Sequence, residues 1–166
     1  MEIQVILLNG PSSSGKSTLS KALQTWILQE RGEDYGIISI DDFMKLATDE
    51  TIYEDDVFEI NEDMCRAAAE ILKASSGVII DHVITSSRIY QQLMDLLTEF
   101  QIRTVHVTCP LEVLLQRELA RGNRCIGSAE ASYTYLYPQD GYDLTVDNAA
   151  RSPEENAAEI FQRLLK

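Results

Sequence analysis

In the run Gly10-Pro11-Ser12-Ser13-Ser14-Gly15-Lys16-Ser17-Thr18, the first eight residues match the pattern G-x-x-x-x-G-K-[ST] of a loop that wraps polyphosphate. The apolar run Ile3-Gln4-Val5-Ile6-Leu7-Leu8-Asn9 leads into them as a buried strand would, and an amphipathic segment follows. Gly10 and Gly15 are expected to take backbone angles closed to other residues, so that successive amide N–H groups curl around an anion. Lys16 then reaches the β- and γ-phosphates, and the Ser17 hydroxyl is placed to ligate Mg²⁺. Thr18 extends a helix whose N-terminal dipole points at the same oxygens. The implied ligands are a nucleoside triphosphate and Mg²⁺.

Two carboxylates extend this chemistry. Asp41 closes the apolar stretch Tyr35-Gly36-Ile37-Ile38-Ser39-Ile40, and Asp81 closes Gly77-Val78-Ile79-Ile80. A charge at the end of a buried strand is costly unless a metal, water or substrate meets it there. Asp81 suits the Mg²⁺ shell opposite Ser17, and Asp41 suits removal of a proton from an acceptor hydroxyl. Asp42 competes for the second role. Strand alternation would put it on the opposite side from Asp41, which favours Asp41. The structural alternative for both aspartates is a helix cap or a solvated strand end.

Arg117, Arg121 and Arg124 lie in Gln116-Arg117-Glu118-Leu119-Ala120-Arg121-Gly122-Asn123-Arg124, the first two one helical turn apart and Gly122 ending the helix. They suit a lid, about 117–130, that brings guanidinium groups to a transferring phosphoryl group and excludes water. The alternative is surface pairing with nearby glutamates. His82 and His106 read as packed or hydrogen-bonded histidines and Trp26 as core; Tyr133, Tyr135 and Tyr137 read as packing residues, with the lining of a substrate pocket as the alternative.

To bring Gly10, Asp41 and Asp81 together, strands and helices must alternate. Helices are expected over about 16–31, 61–74, 87–100, 111–121, 128–137 and 153–165. Strands are expected over 35–41, 77–81, 104–108 and 144–147, besides the first. Ser152 and Pro153 suit a helix cap and first turn. Such alternation predicts a mainly parallel five-stranded sheet with helices on both faces, an α/β three-layer sandwich with its ligands at the carboxyl ends of the strands.

The chain of 166 residues is sized for one domain. It contains no apolar run of membrane-spanning length, and its N-terminus has no signal-peptide pattern, so a cytoplasmic protein without a membrane partner is expected. Cys65, Cys109 and Cys125 fit free thiols. A net charge of −13 argues against nucleic acid as a partner. From Asp42 to Asp63 nine carboxylates face a single Lys45, so an acceptor bound by this segment, about 42–63, is expected to be neutral or cationic.

With these residues in place, the chain resembles the chloramphenicol phosphotransferase-like branch of small P-loop kinases, related more distantly to shikimate and nucleoside monophosphate kinases. Besides the loop, the resemblance rests on Ile40-Asp41, Ile79-Ile80-Asp81, Arg121-Gly122-Asn123-Arg124 with Gly127 and Ala129, and Tyr142-Asp143-Leu144-Thr145-Val146-Asp147. It implies a P-loop NTPase fold, ATP with Mg²⁺, Asp41 as general base, Lys16 as the loop lysine, and Arg121 and Arg124 as lid arginines. Asn123 stands where the family often has an aspartate. The expected activity is ATP-dependent phosphorylation of a hydroxyl on a small molecule. One alternative is a nucleoside monophosphate kinase using Arg66 and Arg88. Another is a nucleotide-binding switch without an acceptor.

Overall fold

The computed structural model describes residues 4–44, 53–122 and 126–166. Lys45, Asp49 and Glu50 of the acidic segment, and Asn123, Arg124 and Cys125 of the arginine segment, lie outside the described residues.

Five parallel strands form one sheet in the order β2-β3-β1-β4-β5, where β1 is Val5–Asn9, β2 Tyr35–Ser39, β3 Gly77–His82, β4 Ile102–Thr108 and β5 Leu144–Asp147. β1 and β3 are buried at every position, as expected of strands covered on both faces. Pleating divides their side chains between two cores. Ile6, Leu8, Val105 and Val107 meet Leu19, Leu23 and Ile27 of α1 (Lys16–Arg31) and Ile160 of α7 (Pro153–Ile160). Val5, Leu7 and Ile80 meet Met64, Cys65 and Ala68 of α3 (Glu54–Ala74) and Leu93 of α4 (Ser87–Leu96). The result is the three-layer α/β sandwich that the alternation predicted.

α1, α5 (Leu111–Arg121) and β5 have the expected bounds. α6 is Ser128–Tyr135, two residues shorter than expected, and after α7 the chain continues in π-type turns over Phe161–Leu165. Two departures affect the site. β2 stops at Ser39, and Ile40–Met44 form a short helix, α2, so Asp41 sits in a first helical turn rather than at a strand end. Ser39 causes the switch: its Oγ accepts the Asp41 N–H at 3.3 Å, and Asp41 and Asp42 favour the positive end of the new helix. The strand-alternation argument for separating Asp41 from Asp42 therefore does not apply.

α3 also starts seven residues earlier than its alanine-rich half suggested, taking in acids of the 54–63 stretch. Glu54, Asp55 and Asp56 occupy its first turn, and the Asp56 carboxylate accepts the Tyr53 N–H at 2.9 Å. These three charges of the stretch read as an acceptor-binding segment stand in the helix's first turn, where they stabilise its start.

Candidate active site

The carboxyl ends of β1 and β3, the loop between β1 and α1, and the ends of α2 and α5 surround a cavity of about 560 Å³. Its wall includes Ser12, Ser13, Gly15, Lys16, Ser17, Thr18, Asp41 and Asp81, together with Arg117, Arg121 and Asn148. Gly10, Pro11 and Ser14 are buried behind that wall.

The two glycines of the loop have different constraints. Gly15 has φ +88° and caps α1 in the left-handed region, as expected. Gly10 does not have a positive φ; it is required by space, because a Cβ there would lie 2.5 Å from the Val107 carbonyl oxygen. Ser13 supplies the loop's other left-handed position, at φ 69°.

Lys16 is buried, and its Nζ donates to Pro11 O at 2.8 Å and to Ser14 Oγ at 3.3 Å, so the ammonium group is held inside the loop. The Ser12 and Ser13 hydroxyls are buried and have no hydrogen-bond partner among the described residues, and both residues line the cavity. An anion bringing several acceptor oxygens would satisfy them.

Across the loop, Ser17 Oγ donates to Asp81 Oδ2 at 3.1 Å. The two side chains expected at Mg²⁺ are thus adjacent, and they offer the oxygen-only donor set that a hard cation takes. Among the described residues no cluster of three or more His, Cys, Asp or Glu side chains is arranged to hold a metal. A cation here would need the phosphates and water to complete its shell, which suits Mg²⁺.

Asp41 is half-buried and lines the cavity, whereas Asp42 is exposed and does not. On the opposite wall Arg121 is exposed and Arg117 is fixed. Arg117 Nη2 donates to Asn148 O at 2.9 Å and Nη1 to Ser13 O at 3.4 Å, which ties this guanidinium to the phosphate loop. The glutamate beside it points elsewhere. Glu118 is buried, and its carboxylate accepts the Gly127 and Ala129 N–H groups at 3.3 and 3.0 Å, holding the start of α6 against α5.

His82 is a packed histidine, as expected. Its Nδ1 accepts the Val83 N–H at 2.8 Å, so Nε2 carries the proton toward Asn61 Oδ1 at 2.8 Å. Burial, aided by the Lys16 charge, pushes this imidazole down to about 3 and keeps it neutral. Tyr133, Tyr135 and Tyr137 are exposed rather than packed as expected, although the Tyr137 ring meets Tyr90 edge-on at 5.8 Å. Sequence reasoning missed Asn9. Buried at the end of β1, it bonds Tyr137 O, the Tyr142 hydroxyl and Ile84 N–H and so fixes the loop that crosses the sheet edge. Its only signal was a polar residue closing an apolar strand.

The profile of chloramphenicol phosphotransferase-like proteins matches residues 3–165. The chain belongs to the chloramphenicol phosphotransferase-like family. Membership carries the reaction class, phosphoryl transfer by a P-loop kinase. No curated protein sequence matches this family member. Solved structures share its fold at low identity. The Mycobacterium tuberculosis APS kinase CysC, in complex with AMPPNP and APS, superposes with a TM-score of 0.76 at 19% identity, over 99% of each chain. A putative kinase from Chloroflexus aurantiacus gives 0.69 at 21%, over 98% of this chain and 96% of its own. The Deinococcus radiodurans tunicamycin resistance protein gives 0.69 at 19%, over 97% and 95%. Among the described residues no helix is long and apolar enough to cross a membrane.

Proposed function

We propose that the protein is an ATP- and Mg²⁺-dependent kinase that transfers the γ-phosphoryl group to a hydroxyl of a small neutral or cationic molecule. The observation that carries this reading is the convergence on one cavity of the phosphate loop with its Ser17, of Asp81 bonded to that serine, and of Asp41, from three separate parts of the chain. ATP rather than another nucleotide is the reading that the family resemblance supports, and the AMPPNP bound to the APS kinase is in keeping with it.

The residues divide the work. The loop amides, the Ser12 and Ser13 hydroxyls and Lys16 bind the phosphates, and Lys16 offsets charge on the β- and γ-oxygens. Ser17 and Asp81 would hold Mg²⁺, which when bound neutralises phosphate oxygens. Asp41 orients the acceptor hydroxyl and takes its proton as the oxygen bonds to the γ-phosphorus and the bond from phosphorus to the β,γ-bridging oxygen breaks, releasing ADP. Arg117 supports the loop from outside, and Arg121, at the end of α5, is the described arginine available to approach the transferring group.

Charge pairing favours the neutral or cationic acceptor. Every described Lys or Arg between Glu33 and Arg88 lies on a carboxylate. Arg88 bonds Asp55 at 2.5 Å and stacks over Phe58, Arg66 bonds Glu62 at 2.8 Å, and Lys73 bonds Glu70 at 2.8 Å. Arg66 and Arg88, the residues a monophosphate would need, each lie on a carboxylate at the surface, which lowers the local positive charge.

The test is transfer of label from γ-labelled ATP, with Mg²⁺, to a panel of hydroxyl-bearing antibiotics, aminoglycosides, nucleosides and nucleoside monophosphates. Labelling of neutral or cationic acceptors is expected. Labelling of monophosphates alone would make the protein a nucleoside monophosphate kinase, and hydrolysis indifferent to every acceptor would make it a nucleotide switch.

A further inference from the structure

A peptide loop carries as many carbonyls as amides, so it cradles an anion only when its carbonyls are engaged elsewhere. In this loop three carbonyls are held by specific donors. Pro11 O accepts Lys16 Nζ at 2.8 Å and Ser14 N–H at 3.2 Å. Ser13 O accepts Arg117 Nη1 at 3.4 Å. Ser14 O accepts Asn148 Nδ2 at 2.9 Å, across 134 residues of sequence.

Asn148 is 8% exposed and sits just beyond β5. Its Oδ1 accepts Asn156 Nδ2 at 2.9 Å, which fixes the direction of the amide and leaves the donor end facing Ser14. Asn156, fully buried on α7, also donates to Asp147 O at 3.0 Å. The backbone carbonyl of Asn148 is the acceptor for Arg117 Nη2 at 2.9 Å. One residue therefore joins α7, α5 and the phosphate loop. Gly15 leaves it room, since a Cβ at that position would stand 3.0 Å from Asn148 Nδ2.

We propose that Asn148 is a positioning residue for the phosphate cradle: its amide, oriented by Asn156, holds the Ser14 carbonyl against the turn between β5 and α7, and its backbone seats Arg117 beside the loop. The inference rests on the nucleotide reading above. It differs from a base-reading role, because both ends of the Asn148 amide are used within the protein.

Two variants separate the possibilities. Asn148→Ala removes both side-chain bonds without adding charge. Asn148→Asp keeps an acceptor for Asn156 while setting a carboxylate oxygen against Ser14 O, and it carries the test if the alanine variant folds poorly. Calorimetric titration of each full-length protein with Mg-ATP and with inorganic tripolyphosphate is the measurement. Asn148→Ala is expected to weaken both ligands by the same factor, about five- to thirtyfold. Asn148→Asp should weaken both further, with a loss that persists at high salt. Unchanged affinities would overturn the proposal, as would a loss for ATP with tripolyphosphate unaffected, which would make Asn148 a reader of the base. A defect seen only in the aspartate variant and erased by salt would reduce it to charge repulsion. A wild type that binds neither ligand would overturn the nucleotide reading itself.

Discussion

Gly10 and Gly15 respond differently to the same substitution. Gly10→Ala presses a Cβ to within 2.5 Å of the Val107 carbonyl on the neighbouring strand, so the loss is expected in stability, about 1–3 kcal/mol by thermal or urea denaturation. Gly15→Ala forces a left-handed residue at φ +88° and meets the Asn148 amide, so nucleotide affinity should fall along with about 1–2 kcal/mol of stability. Ser17→Ala tests the metal pair. Affinity for ATP in the presence of Mg²⁺ should drop toward the value without it, while metal-free affinity stays level. The phosphate loop was legible in the sequence because its chemistry is local, packed into nine residues. Asn148 stood out only as a candidate for reading the base, and its bond to the loop, like that of Ser132, was not legible, because the partners are 134 and 120 residues away and only the folded chain brings the Ser14 carbonyl and the Ser12 N–H to them.

Elements were read well where apolar periodicity was clean and less well where a polar residue changed the backbone's course. Ser39 turned the expected strand end into α2 by accepting the Asp41 N–H, and the acids before Asn61 hid the first turns of α3. Glu118 was read only as a possible partner for the arginines, yet it is the pin between α5 and α6. Glu118→Ala leaves the Gly127 and Ala129 N–H groups without their acceptor, and a loss of about 1–2 kcal/mol is expected in thermal denaturation. His106, on β4, stacks on Tyr142 at 4.7 Å, and burial holds its pKa below the ordinary histidine value. The unfolded chain therefore takes up this proton first as pH falls. The resulting stability is full above about pH 6.5 and declines below it. His106→Gln should flatten part of that decline in melts compared between pH 7 and pH 5.

Across the whole molecule, a chain of net charge −13 places Lys16, Arg117 and Arg121 around one cavity and pairs the described basic residues of the β2–α4 region with carboxylates. That distribution suits a protein that holds a polyphosphate at one end of its sheet and receives an uncharged or positive partner beside it. Family membership and the parallel sheet account for the first half. The second rests on the charge pairing, and transfer to that partner depends on Asp41 acting as a base. The most direct measurement follows both ATP affinity and label transfer to an accepted hydroxyl compound in the wild type and in Asp41→Asn. Transfer reduced about 10²–10⁴-fold with ATP affinity unchanged is the expected result. Equal transfer by the two proteins would contradict the account.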